Sequence, residues 1–289
     1  MKALIIGLLE ENSGKTTIAS SLTSYLNSEG FDTVAFKPIG ATEVWLSPFV
    51  LKESKKRKMV VTGDSLLLHR ASSEKEPINI INPFGGLLVP LILEKFATLN
   101  SFKAYQSSVS SRLALSRLTL CRGEIKNLHL INEKPLRKTA KSIEYEIYEI
   151  VTYAENPVKV DEDYLVELLS GGATNEIDAC LSYLEERHEI VVIESNSDVA
   201  SPTRRCLESD VVILVSPGFA MVIDGNRFRK AVEVLTSNGK PWVIKSEEIA
   251  PLTKHIFSVE LPLLYDQMEG YPKESLDQII EYIKGLRRK

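Results

Sequence analysis

The segment Gly7–Leu26, GLLEENSGKTTIASSLTSYL, constrains the fold of this chain more than any other part of the sequence. The apolar run Lys2–Gly7 before it is typical of a buried strand, and apolar residues recur at helical spacing after Lys15. A short loop that contains Gly14, Lys15 and Thr16 therefore connects a strand to a helix. Backbone N–H groups and the dipole at a helix start attract phosphate, so the sequence predicts a phosphate-binding loop.

Three residues of this loop have a chemical role in that prediction. Gly14 lets the backbone approach the phosphates, Lys15 reaches the β- and γ-phosphates, and the hydroxyl of Thr16 ligates Mg²⁺. The ordinary pattern has a further glycine at the position of Leu9. The alternative interpretation is a solvated helix N-terminus in which Gly-Lys-Thr occurs by chance.

The order of strands and helices predicts an α/β fold. A second strand in Phe31–Gly40, ending at Lys37-Pro38, follows the first helix, which completes a βαβ unit and indicates a parallel sheet. Further buried strands are predicted at Glu189–Glu194, Asp210–Ser216 and Pro241–Lys245, and further helices at Glu176–Arg187, Asn226–Leu235 and Glu274–Leu286. Apolar runs without polar alternation indicate a sheet that helices cover on both faces. We therefore predict a doubly wound, mostly parallel sheet.

The middle of the chain has a different pattern. Apolar and polar residues alternate within Arg112–Leu136 on both sides of Arg122-Gly123, which predicts a hairpin. The charged segment Lys138–Leu168 is predicted to be partly helical. We interpret residues 100–170 as an inserted α+β subdomain or lid. The chain of 289 residues, numbered 1–289, would then be a single domain, since this length suits one large α/β domain.

Charge, hydropathy and cysteine content argue against several classes of protein. The formal net charge of -4 gives no general attraction to nucleic acid or to an anionic membrane. No apolar run approaches the roughly 18 residues of a membrane span. Cys121, Cys180 and Cys206 are odd in number and lack C-x-x-C spacing. We therefore expect neither a disulfide framework nor a zinc site, and we expect a cytoplasmic protein.

Seven short motifs follow one another along the chain: LLEENSGKTT (8–17), KPIG (37–40), TGDSLLL (62–68), INPFGGLLVPL (81–91), VVIES (191–195), VSPGFAMVIDG (215–225) and LPLL (261–264). In this order they resemble the motifs of the dethiobiotin synthetase and cobyrinic acid amide synthase family of P-loop NTPases. The resemblance covers about residues 1–98 and 189–289 and leaves out the middle of the chain.

The resemblance implies ATP and Mg²⁺ as cofactors, bound at the carboxyl ends of the strands. The residues that it assigns to the nucleotide are Asn12, Ser13, Gly14, Lys15, Thr16, Thr17, Lys245 and Pro262. Thr16, Asp64 and Glu194 would ligate Mg²⁺, which prefers such oxygen ligands. Lys15 and Lys37 would be the catalytic residues, with Lys37 facing the γ-phosphate or an acyl phosphate formed from it. Since family members are commonly homodimers, the resemblance also implies a homodimer.

Two of these residues also have structural interpretations. Lys37 could be a solvated strand end, and Asp64 could be the N-cap of a following helix. The chain departs from the family where Glu194 is followed by Ser195–Asp198, because the family has G-A-G-G there. This difference argues against the family's diaminopelargonate substrate. The position that reads the base is Lys245 here, which leaves ATP and GTP both open, with ATP favoured.

Three functional hypotheses follow. The first is an ATP-dependent ligase-like enzyme that activates a carboxylate or carbamate of an unidentified small molecule for attack by an amine. This hypothesis predicts a pocket lined by residues 37–45 and 195–202. The second is a nucleotide-dependent regulatory ATPase switch that acts on a protein partner through residues 100–170. The third is a P-loop fold kept only for its shape, which predicts no nucleotide binding.

Overall fold

The computed structural model describes residues 1–236, 239–264 and 270–287. About 47% of the chain is helix and 21% is strand, and the strands lie in two mixed sheets. This composition and order of elements confirm the predicted α/β class. Within the described residues, no helix is long and apolar enough to cross a membrane.

The strands, as far as the chain is described, have the following bounds: β1 Lys2–Gly7, β2 Thr33–Phe36, β3 Ile39–Glu43, β4 Phe84–Leu88, β5 Leu113–Leu120, β6 Lys126–Ile131, β7 Pro157–Lys159, β8 Ile190–Glu194, β9 Val211–Ser216, β10 Phe219–Asp224 and β11 Phe257–Glu260. The α-helices are α1 Lys15–Ser28, α2 Phe49–Arg57, α3 Gly63–Ala71, α4 Ile78–Ile81, α5 Leu99–Ser107, α6 Val109–Arg112, α7 Glu133–Leu136, α8 Lys141–Tyr153, α9 Glu162–Glu167, α10 Thr174–Glu185, α11 Arg204–Leu207, α12 Gly225–Leu235, α13 Ser246–Ile249 and α14 Lys273–Arg287. Short 3-10 turns cover Leu93–Lys95, Pro241–Val243 and Ala250–Leu252, and a π-turn covers Leu168–Gly172.

The first sheet has the strand order β11-β10-β9-β1-β8-β2. The four strands β9, β1, β8 and β2 are parallel, and β10 and β11 are antiparallel additions at one edge. Leu4 and Ile6 of β1 pack into the core on one face with α10 and α12, and Ala3 and Ile5 pack on the other face with α1 and α14. Both faces of this sheet are therefore covered by helices, as the unbroken apolar runs predict.

One predicted strand is wrong. Pro241–Lys245 is not a strand, because Pro241 begins a 3-10 turn that extends to Val243. Proline lacks a backbone N–H and cannot donate to a sheet ladder. The edge of the sheet is formed instead by β10 and β11, which pair antiparallel from Phe219↔Glu260 to Val222↔Phe257. These two strands are short and partly exposed, so neither was identified from its hydrophobic pattern.

The second sheet has the order β3-β4-β5-β6-β7. Strands β5 and β6 pair antiparallel from Leu115↔Ile131 to Leu120↔Lys126, which confirms the predicted hairpin around Arg122-Gly123. Strands β3 and β4 come from before residue 100, so residues 100–170 contribute β5, β6 and β7 to a sheet that begins at Ile39. The interpretation of 100–170 as an insert within one domain stays a prediction.

The chain passes from the first sheet to the second at Lys37-Pro38. Strand β2 ends at Phe36 and β3 begins at Ile39, so these two residues form the whole connection. The Lys37 N–H donates to the Ile81 carbonyl at 2.7 Å, and the Phe84 N–H donates to the Pro38 carbonyl at 3.2 Å. Lys37 is thus held at the junction of the two sheets.

The expectation that the cysteines would not form a disulfide is corrected for one pair. Cys121 follows β5 and Cys180 lies in α10, and their sulfur atoms are bonded. The two residues are 59 positions apart in sequence, and their Cα atoms come within 5.2 Å. Helix α10 packs between the two sheets and brings them together. Cys206 is free, and its complete burial raises the pKa of its thiol to about 12.

His129 of β6 is fully buried, and its hydrogen bonds fit a neutral imidazole. Its Nδ1 lies 2.7 Å from the Glu155 carbonyl, so Nδ1 carries the proton, and its Nε2 accepts from the Val60 N–H at 3.4 Å. Burial lowers the pKa of His129 below its ordinary value of 6.5, and the nearby charge of Arg117 lowers it further. A proton on Nε2 would break the bond from Val60.

We expect the free energy of unfolding to fall as the pH drops below about 6.5. The unfolded chain takes up a proton at its ordinary His pKa before the folded chain does, so stability is full above that pKa and is lost below it. Urea unfolding between about pH 7.5 and 5.5 measures this loss, which for one histidine is at most about 1.4 kcal/mol per pH unit. In His129→Gln the free energy of unfolding should fall less steeply with decreasing pH. The fall that remains would come from His69, whose pKa is also lowered by burial. An equal slope in wild type and variant would contradict this assignment.

Candidate functional site

The loop between β1 and α1 (residues 8–14) curls over the end of β1. The Ser13 hydroxyl donates to the Leu9 carbonyl at 2.8 Å, and the Leu9 N–H donates back to that hydroxyl at 3.1 Å. Asn12 and Gly14 both have positive φ, at 56° and 88°. Gly14 is the N-cap of α1, so the loop turns directly into the helix start. This is the strand–loop–helix arrangement that the sequence predicts.

Lys15 lies back across the loop toward Gly7. A Cβ atom at Gly7 would be 2.7 Å from the Ser13 hydroxyl and 2.8 Å from Lys15 Nζ, so any larger residue at that position would displace these two side chains. The Lys15 side chain is buried. Burial lowers the pKa of Lys15, and the neighbouring charge of Lys37 lowers it further. The loop therefore holds a lysine ammonium poorly hydrated and close to the helix start, where an anion would compensate its charge.

Lys37, Asp64 and Glu194, three of the predicted site residues, form a single cluster with Thr16. Lys37 Nζ lies 2.5 Å from Glu194 Oε1 and 3.2 Å from Asp64 Oδ2. The Thr16 hydroxyl donates to the same Glu194 oxygen at 2.7 Å. Glu194 is at the carboxyl end of β8 and lies 178 positions from Thr16 in sequence. The fold thus assembles the cluster from four distant segments.

The cluster is charged, and two of its side chains are almost completely buried. Lys37 and Glu194 side chains are 5% and 1% exposed, whereas the Asp64 side chain is 38% exposed and faces the solvent. Burial alone would lower the pKa of Lys37, but the charges of Glu194 and Asp64 outweigh it and raise the pKa to about 12. Lys37 is therefore a buried ammonium paired with the carboxyl groups of Glu194 and Asp64, and its interpretation as a solvated strand end is wrong.

The structural alternative for Asp64 is also wrong. The N-cap of α3 is Thr62, whose side chain accepts a hydrogen bond from the Ser65 N–H in a reciprocal capping box. Asp64 lies in the first turn of α3, where its negative charge interacts favourably with the helix dipole. Its carboxylate is free to point at Lys37, 3.2 Å away.

One oxygen of Glu194 indicates how a cation would fit. Glu194 Oε2 is buried and has no hydrogen-bond partner among the described residues. A buried carboxylate oxygen without a partner is costly, and such an oxygen is a suitable ligand for a hard cation such as Mg²⁺. No group of three His, Cys, Asp or Glu residues in the described chain could hold a metal. The set Thr16, Asp64 and Glu194 contains two carboxylates and a hydroxyl, so it would need oxygens from phosphate and water to complete an octahedron.

These residues line a cleft of about 1210 Å³ between the two sheets. The predicted nucleotide residues in its wall are Asn12, Ser13, Gly14, Lys15, Thr16, Thr17 and Pro262, and the cluster contributes Lys37, Asp64 and Glu194. The second sheet contributes Ile39, Gly40, Ala41 and Leu88. The cleft thus extends from the loop residues to the edge of the second sheet.

Lys245 is the exception among the predicted site residues. It does not line this cleft; its ammonium pairs with Asp198 at 2.9 Å, and its side chain is 52% exposed. Lys245 follows the 3-10 turn and not a strand, so the comparison with a residue at a strand end does not apply to it. Nothing in this arrangement points the residue toward a base.

Several residues of the cleft were missed in the sequence. Tyr271, which precedes α14, has its hydroxyl 3.4 Å from where a Cβ at Gly14 would lie. Asn196, Ser197 and Leu169 also line the cleft. The first two fall within residues 195–202, which the ligase hypothesis predicts to line a pocket, although neither was named as a site residue. Tyr271 and Leu169 carry no local signal, since only the packing of distant segments brings them to the loop.

The chain matches no protein-family model. A comparison with curated proteins finds no match either. Function is therefore inferred from the geometry of the site itself.

Proposed function

We propose that the chain binds Mg·ATP as a P-loop protein of the dethiobiotin synthetase-like group and acts as an ATP-dependent ligase-like enzyme. The observation that carries this proposal is the meeting of the β1–α1 loop with the buried Lys37–Glu194 pair in one cleft. A lysine over a helix start provides a phosphate site, and the carboxylates beside it provide ligands for a divalent cation. Neither feature is required by the packing of the sheet.

The charge and position of each residue in the cleft suggest its role. Lys15 and the N–H groups at the start of α1 would bind the terminal phosphates. Thr16, Asp64 and Glu194 would hold Mg²⁺, which when bound neutralises phosphate charge. Lys37 is already charged and lies at the centre of the cluster, so it could stabilise the transferred phosphoryl group or an acyl phosphate by position and charge alone.

The shape of the cleft favours a ligase over a hydrolase. Besides Lys37, the lining of the cleft includes Ile39 and Ala41 of β3 and Asn196 and Ser197 after β8. These residues belong to 37–45 and 195–202, the two segments that the ligase hypothesis predicts to line the acceptor pocket. The acceptor would be a small molecule with a carboxylate or carbamate, attacked by an amine after phosphorylation.

A regulatory ATPase switch remains the second candidate. Trp45, Leu46 and Phe49 follow β3, whose residues line the cleft, and their side chains are 71%, 78% and 54% exposed. Three exposed apolar side chains beside a nucleotide cleft would suit a protein partner. A ligase should hydrolyse little ATP until its acceptor is added, whereas a switch should hydrolyse ATP faster when its partner is added.

We expect calorimetric titration to show ATP binding that is strengthened by Mg²⁺, with GTP titrated alongside to settle the preferred base. Lys15→Ala should weaken ATP binding about 100-fold, because it removes a charge-assisted contact to phosphate. Lys2→Ala is the matched control, since Lys2 is also buried but pairs with Glu185 away from the cleft. Absence of binding of either nucleotide to wild type would reject the enzyme and the switch, and would favour a P-loop fold kept for its shape.

A further inference from the structure

Asn82, just after α4, is fully buried between the two segments that carry the cluster. Its side-chain Nδ2 donates to the Lys37 carbonyl at 2.8 Å and to the Phe84 carbonyl at 2.9 Å. Its Oδ1 accepts from the Thr62 hydroxyl at 3.4 Å. All the hydrogen-bonding groups of this one amide except one lone pair are therefore used, and they join residues 37, 62 and 84.

Thr62 connects this amide to Asp64. The Thr62 hydroxyl accepts from the Ser65 N–H at 3.3 Å, and the Ser65 hydroxyl accepts from the Thr62 N–H at 3.0 Å. This reciprocal cap fixes the first turn of α3, in which Asp64 lies. Asn82 thus bonds at one end to the backbone of Lys37 and at the other to the cap that places Asp64.

The surroundings of Asn82 are built to fit it. A Cβ at Gly85 would lie 2.9 Å from Asn82 Oδ1, and a Cβ at Gly40 would lie 3.3 Å from Asn82 Nδ2. The guanidinium of Arg117, which is fully buried, donates to the Asn82 carbonyl at 2.7 Å and to the Val60 carbonyl at 2.9 Å. The backbone and the side chain of Asn82 are therefore both held, which leaves one orientation of its amide.

We infer that Asn82 is a positioning residue that sets the distance between the Lys37 ammonium and the Asp64 carboxylate. The effect of this positioning on Mg·ATP binding rests on the proposed function, because Mg·ATP would then bind beside a correctly spaced ammonium and carboxylate. Asn82 does not itself touch the cleft. It acts through the Lys37 carbonyl and the Thr62 cap.

The sharpest variant is Asn82→Asp, which keeps the shape of the side chain and removes both donors. The new carboxylate would face the Lys37 and Phe84 carbonyls with no proton to share, so the link to Lys37 is lost. Asn79→Asp is the matched control. Asn79 lies in α4, the helix that ends just before Asn82, is also buried, and donates to Asn127 at 3.1 Å instead of to a residue of the cluster.

The first measurement is calorimetric titration with ATP, with and without Mg²⁺. In Asn82→Asp the factor by which Mg²⁺ strengthens ATP binding should fall about tenfold, the equivalent of one buried hydrogen bond lost. Binding of ATP without metal should stay within about twofold of wild type, since the β1–α1 loop is unchanged. A merely structural defect would weaken both titrations together, and that result, or no change in either, would overturn the inference.

The second measurement needs no nucleotide and so separates this inference from the proposed function. The rate at which an acylating reagent modifies Lys37, followed by peptide mass spectrometry, reports how firmly this buried ammonium is held. It should rise about tenfold in Asn82→Asp and stay at the wild-type rate in Asn79→Asp. An unchanged rate in Asn82→Asp would overturn the positioning role even if ATP binds. A raised rate in a protein that binds no ATP would support the role and reject the function.

Thr62→Val tests the other end of the link and guards against misfolding of Asn82→Asp. Valine has the shape of threonine and lacks the hydroxyl, so it breaks both the contact with Asn82 Oδ1 and the cap bond from the Ser65 N–H. Thr62→Ser keeps the hydroxyl and should restore the Mg²⁺ effect that Thr62→Val lowers. If serine and valine behave alike, the hydroxyl does not transmit the position of Asn82 to Asp64, and the inference is overturned.

Discussion

Replacement of Lys37 by methionine is expected to lower the free energy of unfolding by about 3–5 kcal/mol. The change leaves the Glu194 carboxylate, whose side chain is 1% exposed, without its cation. One oxygen of that carboxylate already has no hydrogen-bond partner among the described residues, so the remaining contact would be the Thr16 hydroxyl. An uncompensated buried charge is among the most costly defects that a single substitution produces.

Urea unfolding at neutral pH measures this effect, and a second substitution shows its cause. The double variant Lys37→Met with Glu194→Gln should recover more than half of the lost stability, because a neutral amide replaces the unpaired charge. Lys55→Met is the control: its ion pairs with Glu146 and Glu149 are partly exposed, so it should cost less than about 1 kcal/mol. A loss in Lys37→Met no larger than that of the control would contradict a buried, charged pair.

Removal of the Cys121–Cys180 disulfide is the second large effect. The bond closes a loop of 59 residues, and the entropy of that loop in the unfolded chain corresponds to about 4 kcal/mol. Cys121→Ser should therefore lower the free energy of unfolding by roughly that amount. The bond ties the end of β5 in the second sheet to α10, which packs between the sheets, so its loss should also weaken the attachment of one sheet to the other.

Urea unfolding with and without a dithiol reductant checks this prediction. The reductant should destabilise wild type and leave Cys121→Ser unaffected, because that variant has no bond to reduce. Alkylation of the denatured, unreduced protein should label one thiol per chain, that of Cys206. Labelling of three thiols would show that the pair is not bonded, and the stability difference should then disappear.

Local pattern was sufficient for much of the fold and for the parts of the site that one segment builds. The strand Lys2–Gly7, the loop with Gly14 and Lys15, and the strand that ends at Glu194 follow from hydrophobic runs and turn residues. These signals are reliable because each depends on neighbours within about ten residues. The hairpin at Arg122-Gly123 was predicted for the same reason.

The tertiary structure alone decided which of these segments meet. No pattern within Phe31–Gly40 reveals that the chain leaves one sheet at Phe36 and enters another at Ile39, which is what places Lys37 in the cluster. The same holds for the Cys121–Cys180 bond, and for the edge strands β10 and β11 that replace the strand expected at Pro241–Lys245. The sequence determined the elements and the chemistry of their ends, because those depend on local backbone and side-chain preferences. Which ends face one another depends on contacts between residues far apart in sequence, such as Thr16 and Glu194 at 178 positions and Cys121 and Cys180 at 59, and no local preference encodes these contacts.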